Sequence, residues 1–203
     1  MRIAAYHSHM NGFEWIKYHR PKLWDEIEAA IASVDAEACR TKHSKEARKK
    51  DRVLYSPTAM NKAFTDHFEP LGWKSRTTRN FISDDAAIIR ELVKLKPAEQ
   101  KALLVKNKKE VLDTYNQTDF VKDGIAVEVQ FGKYAFVAHD LFVKHMSFFL
   151  NDAIQVGVEI VPMKAMEREM SSGVPYYERD LFNLLRQGRG IPQVPLVLVG
   201  VAP

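Results

Sequence analysis

Two acids and an amide cluster near the middle of the chain, in the run Asp119-Phe-Val-Lys-Asp-Gly-Ile-Ala-Val-Glu128-Val-Gln130-Phe131-Gly-Lys133-Tyr134. From Ala126 to Phe131 the residue types alternate. Val127, Val129 and Phe131 would share one face of a strand, and Ala126, Glu128 and Gln130 the other. Gly124 stands between Asp119 and Glu128 and permits a turn that folds the aspartate back beside the glutamate. Two carboxylates aimed at one point repel each other unless a cation sits between them. Oxygen ligands of this kind suit Mg²⁺, which keeps several waters and needs only one or two protein carboxylates. The backbone carbonyl of Val129 is a third candidate ligand if the strand edge is open there. The plainer reading is an amphipathic strand with Glu and Gln on its wet face.

The elements that must position this stretch can be read around it. Residues 1–20 carry Tyr6, His7, His9, Phe13, Trp15, Tyr18 and His19 and are expected to form a packing arm; His7 and His9 lack further ligand-spaced partners. Pro21 opens a helix whose stripe is Leu23, Ile27, Ala30, Ile31 and Val34. Glu26 and Glu28 are expected to face solvent. Ser83-Asp84-Asp85 signals a helix start, and Pro97 starts a second helix expected to run to about Leu112. Ala138 to Leu150 reads as helix, with His145 on the packing face as a core histidine. Asp152 to Val161 alternates as a strand, Tyr176 to Arg186 reads as helix and Leu196 to Val201 as an apolar strand. Strand–helix–strand twice in succession implies right-handed crossovers and parallel neighbours.

The spacing Asp119-x8-Glu128-x-Gln130 resembles the PD…(D/E)xK nuclease core, with Gln130 where that pattern has Lys. Glu128-Val129-Gln130-Phe131 is similar to the motif of restriction endonucleases of the BglII/BamHI kind. Leu23-Trp24-Asp-Glu-Ile-Glu28, Ser56-Pro57 to Asn61, Leu71-Gly-Trp73-Lys74, Tyr176-Tyr177-Glu178 and Val194-Pro195 to Gly200 resemble further segments of that family, in order. The resemblance implies an α/β fold with a mixed sheet flanked by helices and a single domain over residues 1–203. Residues 83–113 would be a helical insertion, for which the resemblance offers no role. It implies Mg²⁺-dependent hydrolysis of double-stranded DNA, with Mn²⁺ able to substitute. Asp119, Glu128 and the Val129 carbonyl would hold metal, and Asp119, Glu128 and Gln130 would form the catalytic set. Gln130 cannot take a proton at neutral pH and can only orient water or phosphate, which leaves the general base open.

The resemblance also places a polar reading loop at Ser171-Ser172-Gly173, with Ser172 where an Asn is expected. Lys133 would join it at base edges. Lys74 and Arg76, in the cationic stretch Trp73 to Arg79, would touch phosphate. The family's targets are six-base palindromes around GATC, here R^GATCY with 5′ GATC overhangs, cut by a homodimer. The basic run Arg40 to Arg52 is either a solvated face or a phosphate contact. Thirty basic residues against 26 acidic ones, a charge of +4, fit a polyanionic partner without requiring one. A single cysteine, Cys39, excludes an internal disulfide and makes an intracellular compartment the default; the resemblance implies a prokaryotic cytoplasm. No apolar run reaches membrane-spanning length. A nuclease without sequence choice, or a repair or structure-selective one, would carry the same acids; a non-catalytic DNA binder would use them structurally.

Overall fold

The computed structural model describes residues 1–203. In chain order the elements are β1 (Arg2–His9), α1 (Gly12–His19), α2 (Pro21–Ser33), β2 (Lys42–His43), β3 (Val53–Leu54), α3 (Pro57–Phe68), β4 (Lys74–Ile82), α4 (Ala86–Leu92), α5 (Pro97–Lys106), β5 (Leu112–Lys122) and β6 (Ile125–Val129). They continue with α6 (Tyr134–His139), a π-helical turn (Asp140–Lys144), α7 (His145–Leu150), β7 (Val156–Pro162), α8 (Lys164–Glu167), α9 (Tyr177–Arg186) and β8 (Leu196–Ala202).

Six strands form one sheet in the order β1-β8-β7-β6-β5-β4, and β2 with β3 makes a separate small hairpin. The centre, β6-β7-β8, is parallel, as two consecutive crossovers require, and the flanks are antiparallel. The central strands are buried end to end because both faces are covered. On one face Val127, Val158, Ile160, Val197 and Val199 pack with Trp24, Ile27, Phe64 and Phe68 of α2 and α3. On the other, Leu196 and Leu198 meet Val137, Leu141 and Tyr177, and Ala126 meets Phe148. The sheet is therefore mixed and flanked by helices, as expected.

Several boundaries differ from the sequence reading. The expected N-terminal arm is the edge strand β1, paired with β8, followed by α1. The cationic stretch Lys74 to Arg79, to which the sequence reading gave no element, begins the opposite edge strand, β4, whose polar residues suit a strand with one unpaired side. The helix begun by Pro97 stops at Lys106, because Lys108 turns to positive φ and β5 starts at Leu112. Between β4 and β5, α4 and α5 have a small core of Ile88, Leu92 and Leu104. Inside it, the buried Gln100 donates to the carbonyls of Leu92 and Leu95 and accepts from the Phe81 N–H. Glu26 is not solvated: Trp73 Nε1 donates to it at 2.7 Å, and Lys122 Nζ sits 2.8 Å from both of its oxygens. Glu28 accepts from Trp24 Nε1 at 2.6 Å.

Candidate active site

The β5–β6 hairpin turns at Asp123-Gly124, both at positive φ, the geometry a two-residue hairpin demands. Its register pairs Phe120 with Val127 and Val121 with Ala126. Phe120 and Val127 point into the main core, so Asp119 and Glu128 fall together on the opposite face. On the other side of β5 the ladder slips: Lys74 faces Val121, but Arg76 faces Thr118. Asp119 and Phe120 thus oppose Ser75 alone, a bulge that re-aims side chains beside the acids.

Asp119 accepts a hydrogen bond from the Val129 N–H at 3.2 Å. Glu128 is 2% exposed; its Oε2 lies 3.0 Å from Lys144 Nζ, and its Oε1 has no partner. Lys144 reaches Asp140 as well, at 2.7 Å. Both residues belong to the π-helical turn, which brings them onto the sheet in place of the plain helix expected there. Gln130 Nε2 donates to Asp140 at 3.4 Å, and its Oε1 accepts from the Gly132 N–H at 3.0 Å.

Burial and the neighbouring Asp119 push the Glu128 carboxyl up to about 8, against the pull of Lys144. Asp119 is raised too, mainly by burial. Burial disfavours the Lys144 ammonium, but the Glu128 and Asp140 carboxylates outweigh it and hold the proton on. Beneath Glu128, in register on β7, lies Glu159, wholly buried, with His145 Nε2 at 3.3 Å. Burial raises Glu159 well above the usual carboxylate range and lowers His145 to about 3. Both shifts favour the neutral forms, an imidazole and a carboxylic acid in contact at 3.3 Å. Gly157 makes room for it, since a Cβ there would lie 2.5 Å from the His145 ring.

Two clefts open over this centre. One, of about 230 Å³, is walled by Asn61, Thr65, Glu69, Gln117, Asp119 and Val129. The other, of similar size, is walled by Gln117, Gln130, His139, Asp140 and Lys144. Gln117 borders both. Asp119 and Gln130 therefore open on adjoining clefts.

The reading candidates sit at the end of the sheet where β6 and β7 finish. Lys133 is exposed at the start of α6, and the Tyr134 N–H donates to the Gly173 carbonyl at 2.8 Å, joining it to the Ser171-Ser172 loop. Ser172 is exposed and donates to Glu46 through its N–H at 2.8 Å. Lys74 and Arg76 are exposed on β4, apart from that loop; Arg76 donates to the Ala153 carbonyl at 3.2 Å.

The sequence matches the family Restriction endonuclease BglII/BglIII over residues 4–201. The chain belongs to the BglII family of restriction endonucleases. It is accordingly a site-specific deoxyribonuclease. A crystal structure of restriction endonuclease BglII complexed with a DNA 16-mer superposes with a TM-score of 0.69 at 21% identity, covering 100% of this chain and 79% of that one. A structure of free BglII gives 0.59, again at 21% identity, over 100% and 80%. These two share the fold. No curated protein sequence matches the chain.

Sequence reading of this BglII-family chain missed three residues of the buried centre. Lys144 and Asp140 left one signal, a charged pair one helical turn apart in a largely apolar helix. Glu159 left none, because alternation placed it on a wet face that the fold buries. His145 is indeed a core histidine.

Proposed function

We propose that this BglII-family enzyme cleaves double-stranded DNA at GATC-centred palindromes, R^GATCY, leaving 5′ GATC overhangs, with a divalent cation held by Asp119, Glu128 and the Val129 carbonyl. The convergence of Asp119 and Glu128 carries the reading. Both carboxyls are raised by burial, and Glu128 Oε1 is buried without a partner. A hard cation that takes oxygen ligands relieves that repulsion and supplies the missing contact, so the residues fit Mg²⁺, or Mn²⁺ in its place. When bound, such an ion acidifies water and neutralises charge on the phosphate.

The side chains around it orient and balance. Gln130, held at both ends by Asp140 and Gly132, presents an amide that aligns water or phosphate without exchanging a proton. Lys144 keeps a fixed positive charge beside Glu128. Lys133, Ser171 and Ser172 read base edges in the major groove, and Lys74 and Arg76 meet phosphate. The degenerate outer pair follows from the resemblance to BstYI within this family: a reader that bonds purine N7 accepts A and G alike. A palindrome cut on both strands calls for a homodimer. We take residues 1–203 as one domain with 83–113 inserted, acting in a prokaryotic cytoplasm. No helix is long and apolar enough to cross a membrane.

Digestion of mapped DNA followed by end sequencing tests this. Comparable cutting of AGATCT, GGATCC and AGATCC with four-base 5′ overhangs is the expected result. Cutting of only one of them overturns the degeneracy, and equal cutting of DNA lacking GATC overturns the recognition site.

A further inference from the structure

The basic run from Arg40 to Arg52 has a use that phosphate contact does not cover. The β2–β3 hairpin and its loop lie against the segment that ends in Ser171-Ser172. Arg40 and Arg52 grip the Glu169 carboxylate at 3.2 and 2.7 Å, and the Tyr55 N–H donates to the Glu169 carbonyl at 3.0 Å. Lys49 donates to the Met170 carbonyl. Glu46, one of the two acids in the run, takes both donors of Ser172: the N–H at 2.8 Å and the hydroxyl at 2.5 Å. Those two bonds hold the Glu46 carboxyl below the usual range, so it is an anion at neutral pH.

A serine hydroxyl has one proton and two lone pairs. With that proton on Glu46, Ser172 can offer DNA only lone pairs. We propose that Glu46 is a specificity-determining positioning residue, which fixes Ser172 as a hydrogen-bond acceptor towards the base pair it faces. An acceptor in the major groove meets the amino groups of adenine N6 or cytosine N4. An A·T pair and a G·C pair each carry one such group, on opposite strands. Lys133, a donor without lone pairs, complements it at purine N7 or O6. The inference rests on the recognition reading above and goes beyond it, since it assigns to a residue off the reading loop the polarity of the loop's contact.

The test is cleavage by the full-length enzyme of four otherwise identical duplexes with outer pairs giving AGATCT, GGATCC, TGATCA and CGATCG. The enzymes compared are the parent, Glu46→Gln, Ser172→Ala and the double variant. Glutamine keeps an oxygen for the Ser172 N–H but points an amide N–H at the hydroxyl, which frees the hydroxyl proton to donate. Glu46→Gln is expected to change the ratio of rates among the four duplexes by about three- to tenfold, the worth of one hydrogen bond. Ser172→Ala is expected to change the ratio too, and to make Glu46→Gln silent in the double variant. Urea midpoints of all four proteins check that the fold is intact. If the parent discriminates among the duplexes and Glu46→Gln reproduces its ratios, or if the Glu46→Gln shift persists without the Ser172 hydroxyl, the inference is overturned while the recognition reading stands. If the parent cuts none of the four, the recognition reading falls and this inference with it.

Discussion

The acidic centre and the proposed reading loop are built in opposite ways. Asp119 and Glu128 stand on paired strands in the sheet, and the groups around them, Lys144, Glu159 and His145, are all largely buried. Their positions follow from a main-chain ladder and close packing. Ser172 stands on an exposed loop, held by side chains from a hairpin more than a hundred residues earlier. On the proposed assignment, chemistry depends on backbone register, whereas sequence choice depends on a few exposed polar contacts. The first should fail sharply under substitution and the second should be adjustable.

The sharpest test of that contrast removes a carboxylate. Asp119→Asn or Glu128→Ala is expected to lower the cleavage rate about a thousandfold or more, the several kcal/mol of charge stabilisation a metal supplies. Near-parental DNA binding and urea midpoint would accompany it. Full activity in either variant would remove the hairpin from the chemistry and leave the comparison without its first term.

Next comes the counter-charge. Lys144→Met strands Glu128 and Asp140 as buried acids with no cation, at a cost of about 3–5 kcal/mol in metal-free protein. Adding Asp140→Asn should recover part of it. Denaturant titration reads both, and additive effects would show that the three groups do not form one cluster.

The pH profile separates the regions further. His145 titrates near 3 when folded and near 6.5 when unfolded, so its neutral form contributes stability above about pH 6.5 that is lost as pH falls towards 3. Glu159 is shifted the other way: its contribution is complete below about 4.5 and fades as pH rises towards its folded value. His145→Gln should flatten the acid limb of the stability curve. The two contributions oppose each other between about pH 4.5 and 6.5, so the comparison is with the variant: a His145→Gln protein whose stability follows the same pH course as the parent's would contradict the neutral imidazole.

A smaller signal comes from metal uptake. With Glu128 titrating at about 8, Mg²⁺ binding at pH 7 should expel close to one proton, less at pH 9. Calorimetry in buffers of different ionisation enthalpy measures this, and no buffer dependence would mean Glu128 is not a ligand. The smallest effect belongs to the loop: Arg52→Ala should cost about 0–1 kcal/mol, since the ion pair is exposed. Urea titration measures it.

The same contrast explains what the sequence disclosed. The alternation from Ala126 to Phe131 and the Asp123-Gly124 turn are local signals, so the Asp119–Glu128 pairing and the parallel centre were legible. The edge strand β4 was not, because Lys74, Arg76, Thr77 and Arg79 lack the apolar alternation of a half-buried strand. β1 was hidden similarly among aromatics and histidines. Lys144 and Asp140 act on a strand their own helix follows, and Glu46 acts on a loop far along the chain. Nothing local marks such partners.

The five-residue π-helical turn carries a constraint of length rather than of chemistry. It inserts one residue into a helix that otherwise runs from Tyr134 to Leu150. An α-helix advances about 100° per residue, and the π-helical turn holds its extra residue without that rotation, whereas deleting one residue from the regular turns of α6 would rotate all that follows by about that angle relative to what precedes it. Lys144 and His145 would swing off Glu128 and Glu159, though every functional side chain was still present. The π-helical turn absorbs one residue without changing phase, and insertions or deletions in the regular turns on either side of it should be far more damaging than substitutions of outward residues such as Val143.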